Sequence, residues 1–513
     1  MGKIVMIGID AFDSILLSRF ESELPNLREL KRNAAQINMK SVFPPDSPTA
    51  WATIYTGLNP AQTGIIYFRD PLDEKSFVTL TDDAENAIHS RLRGMCFWDY
   101  LGRYQKKVCV ILPYAVYPPW PVNGIMVCTS MRHLGRTRAP QTYPPQIGRD
   151  YDLDKLNTIQ ATSSPKASSL YRLIDRGKNL LASEFSFGLD MFRKDNWDLF
   201  FMYSSVLDFI QHCFWAHYDE SDPTHIINNP FKDVIKEFYI LYDNKIGEFL
   251  SAVSPDTSII IFSDHGHGMR PVQLVNINEI LRREGYLIST GGQNQQNRSN
   301  YLMEGAKRAA ARIITNHGFA VIAAKLVKLF PWVKRIYAMP SGVDWGRTIA
   351  CVSDLSGIKA YSYGGITINK ERIQDSDYEK LRRSIIVKLS SIIVPNTGKN
   401  LMKWICRRED LYHGEYLARY PDIVFELQEG YGIGWSIHGP IVGTSQTHGL
   451  NPGSHKADSP VFLFSNSGNH RVVRHNMTLE DIAPTILELL NVKDNYYFDG
   501  KSIFQSGLTS INL

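Results

Sequence analysis

The hydrophobic positions of this chain gather in short runs, each closed by a polar residue or a glycine. Residues 3–9, 107–112, 124–128, 197–203, 258–262 and 460–464 read this way, as strands do when helices cover both faces of their sheet. Helical stretches fall between them, the clearest at 14–23, 231–253, 375–391 and 479–490. Strands alternating with helices predict an α/β fold with a mostly parallel sheet and helices on both faces. One region breaks the alternation. From residue 291 to 341 a Gln- and Asn-rich link leads into a helix-forming segment at 304–323, then a basic stretch with Lys325, Lys328, Lys334 and Arg335. A helical insertion or cap is expected there, dividing the core into a first part, residues 1–290, and a second part, residues 342–513.

Composition narrows the class. Hydrophobic residues make up 43% and charged residues 21% of 513 positions, which suits a globular chain with little disorder. A formal net charge of +4 is mild at this length and gives no reason to expect a nucleic-acid partner. The first apolar run is soon interrupted by Asp10 and Asp13, unlike a secretory leader, and no later run is long enough to span a membrane. A cytoplasmic location is the expectation. The six cysteines, Cys96, Cys109, Cys128, Cys213, Cys351 and Cys406, show no metal-binding or disulfide spacing and read as buried thiols. Oligomeric state is not legible.

The candidate chemistry sits at strand ends. Asp10 closes the first run, Asp208 follows the run at 197–203, and Asp264 with His265 follows the run at 258–262. In open α/β sheets ligands bind beyond the carboxyl ends of the strands, so these groups should meet on one rim. Asp208 and His212 are four residues apart and would share a helix face. Gly266 and Gly268 suit a loop after Asp264 and His265. His455, just before the run at 460–464, is a further candidate, and His448 competes with it. Asp10, Asp208, His212, Asp264, His265 and His455 together offer three carboxylates and three imidazoles, enough for two divalent ions. Mixed oxygen and nitrogen donors favour zinc, with manganese the alternative. Such a pair suits in-line phosphoryl displacement. The run Asp46-Ser47-Pro48-Thr49 offers two hydroxyls as nucleophile. His267 and His217 read as surface or supporting histidines, and Trp51 as packing.

The chain resembles the type I phosphodiesterase and nucleotide pyrophosphatase branch of the alkaline phosphatase superfamily, whose members carry Ser or Thr nine residues before a Thr-Gly pair. Counting back from Thr56-Gly57 reaches Ser47. The resemblance runs from Gly8-Ile9-Asp10 through Thr56-Gly57-Leu58-Asn59-Pro60, Asp208 to His212 and Ser263-Asp264-His265-Gly266. It resumes at Asp344-Trp345, Gly453-Ser454-His455, Asp481 to Leu487 and Asp499-Gly500, so only the insertion escapes it. It implies an alkaline phosphatase-like core and metal-dependent hydrolysis of a small phosphoric ester: a phosphodiester, nucleotide pyrophosphate or phosphomonoester. Ser47 would become a covalent phosphoserine, then be hydrolysed. By the same resemblance Asp10, Ser47, Asp264 and His265 would hold one ion, and Asp208, His212 and His455 the other.

Related activities are less well matched. A sulfatase nucleophile would need Pro and Arg where Thr49 and Trp51 stand. A phosphomutase or phosphotransferase on the same site would carry an inserted domain soon after the serine, whereas the stretch between Ser47 and Asp208 patterns as core. A pseudoenzyme that only binds would have lost a ligand or the nucleophile, and every position is filled. The basic positions of the insertion read as a solvated helix face or, more sharply, as a lid or surface meeting anionic substrate or a membrane.

Overall fold

The computed structural model describes residues 3–66, 82–130, 138–157, 166–290, 342–353, 361–394, 398–445, 448–465, 472–493 and 496–504. The expected insertion at 291–341, with its four basic positions, lies outside the described residues.

At the centre is an eight-stranded sheet. Its strands are β1 (Lys3–Ile9), β2 (Ala34–Gln36), β3 (Val108–Ile111), β4 (Gly124–Cys128), β5 (Gln141–Tyr143), β6 (Leu199–Ser204), β7 (Thr257–Phe262) and β8 (Phe462–Ser465). They lie in the order β2-β8-β7-β1-β6-β3-β4-β5. The five from β7 to β4 are mutually parallel, while β8 runs antiparallel to β7 and β5 antiparallel to β4. The sheet is mostly parallel, and each apolar run of the sequence gives one of its strands within a residue or two.

Both faces are covered, and β1 shows why its run is unbroken. Val5, Ile7 and Ile9 enter one apolar core with the helices α2 (Ala167–Arg193), α3 (Val206–Tyr218) and α4 (Val234–Ala252). Ile4 and Met6 enter the other, with α1 (Ser47–Thr56) and α5 (Ile482–Leu489). Alternate residues serve opposite faces, so none is spared for water. The longest helix among the described residues, α2, buries Leu170, Leu173, Ile174, Leu180, Leu181 and Phe185 on one face. Gly177 lets it close on Phe238, whose ring a Cβ would meet at 2.9 Å.

Strands β3 to β6 all come from the chain between Ser47 and Asp208, so that stretch belongs to the central sheet. The later part of the chain adds what periodicity did not suggest. Ala350–Ser353, Tyr363–Ile368, Ile423–Leu427 and Met402–Arg407 form a separate antiparallel sheet, with its own core including Ile366, Ile385 and Phe425. The expected helices at 231–253 and 375–391 are present as α4 and Asp375–Ser390, whereas 14–23 and 479–490 each divide into an α and a 3₁₀ segment. Among the described residues no helix is long and apolar enough to cross a membrane. The six cysteines are free thiols, buried or half-buried.

Candidate active site

The order β7-β1-β6 brings three carboxyl strand ends side by side. Asp10 directly follows β1, Ser263-Asp264-His265 follows β7, and Asp208 lies in the first turn of α3, just beyond β6. Ser47 opens α1, which lies across the sheet because Trp51 packs over Gly8, where a Cβ would meet the indole at 2.6 Å. The indole also contacts Tyr203 and Phe262 and is fully buried, so it serves packing. As the first residue of a ten-residue helix, Ser47 stands where the macrodipole favours an anion.

The remaining groups arrive on an antiparallel ribbon, Gly266–Met269 paired with Gly453–Lys456, in which His267 faces His455. The sequence suggested a loop at Gly266 and Gly268; the structure corrects this to a strand. The glycines serve close approach instead, since a Cβ on Gly266 would run into the Ser459 hydroxyl and the Asp13 carboxylate. Asp13 also accepts the His267 peptide N–H at 3.1 Å, tying the ribbon to the end of β1.

Two clusters result. In the first, His265 Nε2 lies 3.4 Å from Asp10 Oδ1, 3.3 Å from Asp264 Oδ2 and 3.3 Å from Ser47 Oγ. In the second, Asp208 Oδ1 is 3.3 Å from His212 Nε2 and 3.6 Å from both His267 Nδ1 and His455 Nε2. The His265 and His455 rings stack with centroids 3.9 Å apart, so the clusters adjoin. All of these side chains are buried except Asp208, which keeps a little exposure.

Three of the imidazoles are oriented by backbone carbonyls. His212 Nδ1 meets Gly453 O at 3.0 Å, His265 Nδ1 meets Gly266 O at 3.0 Å, and His455 Nδ1 meets Pro45 O at 3.1 Å. Each carbonyl accepts the Nδ1 proton and so turns Nε2 toward the carboxylates. His212 Nε2 and His455 Nε2 face each other at 2.9 Å, a contact in which either ring can be the donor. Buried Asp10 Oδ1, Asp208 Oδ1 and Asp264 Oδ2 have no hydrogen-bond donor. Converging imidazole nitrogens and orphaned carboxylate oxygens are what a pair of cations would satisfy.

Electrostatics agrees. Burial, helped by Asp264 and Asp208, pushes the Asp10 carboxyl well above the usual range, and burial pushes Asp264 up to about 7. Burial and then His455 push His265 down to about 4. Burial works against ionised Asp208, but His212, His455 and His267 outweigh it and hold that carboxyl well below the ordinary value.

All seven residues singled out in the sequence, Asp10, Ser47, Asp208, His212, Asp264, His265 and His455, therefore lie in these two adjoining clusters. His448 does not: its Nε2 pairs with buried Asp222 at 2.8 Å. Thr49 is fully buried on α1 with its hydroxyl unpartnered. His217 packs against Phe214 and Phe231. His267, read from sequence as a surface or supporting residue, is not at the surface: it is buried, with Nδ1 3.6 Å from Asp208 in the second cluster. Its signal was the alternation of His265 and His267 about a glycine, legible only once that segment is known to be extended. Tyr203 and Asp46 were also missed. The Tyr203 hydroxyl donates to Asp10 Oδ2 at 2.5 Å, while Asp46 accepts from Tyr363 at 3.0 Å and lies 3.5 Å from His455 Nδ1.

The fold is alkaline phosphatase-like, a mostly parallel sheet between helical layers. It is similar to the murine ectonucleotide pyrophosphatase/phosphodiesterase 5 in an inactive form complexed with AMP: 13% identity, 98% of this chain and 98% of that chain, TM-score 0.50. The human ectonucleotide pyrophosphatase/phosphodiesterase 5 matches at 13% identity over 98% of this chain and 100% of that one, with a TM-score of 0.49. No curated protein matches the sequence. The family model for type I phosphodiesterase/nucleotide pyrophosphatase matches residues 4–451, so the chain belongs to that family, a branch of the alkaline phosphatase superfamily, and is a hydrolase of phosphoric esters.

Proposed function

We propose that the chain hydrolyses a small phosphodiester or nucleotide pyrophosphate in two steps through a covalent phosphoryl ester on Ser47 that keeps the substrate's retained ester group, with two divalent ions, zinc before manganese. The observation that carries this reading is the place of the Ser47 hydroxyl, at the opening of α1 and 3.3 Å from His265 in the first cluster. Asp10, Ser47, Asp264 and His265 would hold one ion, and Asp208, His212 and His455 the other. When bound, the ions supply positive charge that eases loss of the serine proton and offsets charge on the transferring phosphoryl group. Ser47 Oγ forms a bond to phosphorus as the bond to the leaving oxygen breaks, and water then cleaves the Oγ–P bond. The helix N-terminus favours the anionic group in both steps. Tyr203 steadies Asp10, and the carbonyls of Pro45, Gly266 and Gly453 hold the imidazoles in one tautomer.

A nucleotide is the favoured substrate class because the murine relative of like fold binds AMP. The phosphomutase alternative is weakened, because β3 to β6 occupy the stretch where its extra domain would sit. The test is a panel of chromogenic monoesters, diesters and nucleotides assayed with zinc, manganese or magnesium. Turnover should be highest on a diester or pyrophosphate and vanish with chelator. Turnover indifferent to chelator would contradict the reading.

A further inference from the structure

The second cluster holds one imidazole more than the two-ion assignment uses. His267 is 2% exposed, and neither ring nitrogen makes a hydrogen bond. Burying an imidazole with both nitrogens unmatched is costly, about 1–3 kcal/mol for each unsatisfied group, so something should pair with it in the working protein. Its surroundings say what. Nδ1 is aimed at Asp208 Oδ1, 3.6 Å away, and the ligating atoms of Asp208, His212 and His267 all lie within 4.8 Å of one another. The ring stands edge-on to His212, with centroids 4.6 Å apart, and rests on Trp215 at 5.5 Å. Its backbone is fixed twice, by the ribbon pairing with His455 and by the Asp13 carboxylate. Gly453 leaves room for it, since a Cβ there would run into His267 Nε2.

We propose that His267 is a ligand of the ion held by Asp208 and His212, making that position rich in nitrogen and unlike its oxygen-rich neighbour. The proposal rests on the two-ion reading of the site and adds an imidazole to it. The consequence is selectivity. With His212, His267 and His455 beside one carboxylate, this position suits zinc, whereas Asp10, Asp264 and Ser47 beside one imidazole would accept manganese or magnesium more readily. One ion should be held tightly as zinc while the other exchanges.

The experiment uses the full chain loaded with zinc and titrated with a metal-binding competitor, with zinc content and zinc X-ray absorption as readouts. Wild type should release its two ions in separate steps, and excess manganese should replace one zinc only. His267→Gln and His267→Met should each weaken the tighter ion by about 10–100-fold or more, merge the two steps and lower the histidine count around zinc. His217→Gln, which alters a histidine outside both clusters, should change none of these. Two separate release steps and an unchanged histidine count in both His267 variants, with their thermal unfolding intact, would overturn the role of His267 alone. A wild-type chain that binds no zinc would overturn the two-ion reading and this inference with it.

Discussion

The two halves of the site are built differently, and the difference explains what each can do. The half containing Asp10, Asp264 and His265 hangs on the ends of β1 and β7, neighbouring parallel strands in the middle of the sheet. Its carboxylates stand directly after the strands, and it is deeply buried and rich in oxygen. The half containing Asp208, His212, His267 and His455 draws on helix α3 and a ribbon from distant parts of the chain. It is rich in nitrogen and includes Asp208, the one member that keeps some exposure. The strand-end half adjoins the Ser47 hydroxyl, 3.3 Å from His265, and meets the helix-and-ribbon half where the His265 and His455 rings stack.

The sharpest way to break this comparison is at Ser47. Ser47→Ala should lower turnover by roughly three orders of magnitude or more while both metal positions keep most of their affinity, because in the proposed route this hydroxyl forms the covalent bond and Asp10, Asp264 and His265 remain. Thr49→Ala should keep appreciable activity, since Thr49 is fully buried on α1. Steady-state kinetics with metal analysis checks both, and reversed outcomes would move the nucleophile.

Next in size is the contrast between the halves themselves. Asp10→Asn and Asp208→Asn should each remove one equivalent of metal and most of the turnover, and elemental analysis should show the two losses to be independent. Losing both ions from either change would mean that the clusters form a single site.

A smaller effect lies beneath the strand-end half. Glu184 accepts from the Ser204 hydroxyl at 2.5 Å, and the Ser204 carbonyl accepts the Asp10 peptide N–H at 3.0 Å. Burial raises the Glu184 carboxyl from 4.5 to about 8, so the folded chain holds this proton more tightly than the unfolded one. The stability this contributes is full below about pH 4.5 and is lost as pH rises toward 8. Glu184→Gln should flatten that decline, by up to about 1.4 kcal/mol per pH unit, in denaturant melts across the range. An unchanged slope would place the pH dependence elsewhere.

The smallest expected effect concerns selectivity. Neutralising Lys325, Lys328, Lys334 and Arg335 together should raise KM for an anionic nucleotide several-fold and leave a small chromogenic ester unaffected, since only uniform binding is lost. Equal losses on both substrates would instead make residues 291–341 a support for the site.

The same contrast marks what sequence could and could not reveal. The strand-end half was legible because buried parallel strands are continuous apolar runs, and Asp10 and Asp264 stand where such runs stop. Ser47 needed the Thr56-Gly57 spacing as well, since nothing in its hydroxyl separates it from Thr49. The ribbon half was harder. Gly266 and Gly268 read as a turn, yet they are there so that Ser459, Asp13 and Lys456 can come close, and a glycine gives the same local signal in either role. With the segment taken as a loop, His267 had no defined direction. The antiparallel sheet from Ala350 to Leu427 was missed for a related reason: its edge strand Met402–Arg407 is only partly buried and so lacks a continuous apolar run.

The most direct test of the covalent route is a rapid-quench experiment on the zinc-loaded chain with a nucleotide or chromogenic diester. Quenched protein is digested, and the peptide carrying Ser47 is weighed by mass spectrometry. The geometry predicts a transient adduct on Ser47, the phosphoryl group together with its retained ester substituent, that rises with the first turnover, disappears as substrate is consumed, and is absent from Ser47→Ala and from chelator-treated protein. Full turnover with no adduct at Ser47 at any time, or an adduct on another residue, would contradict it.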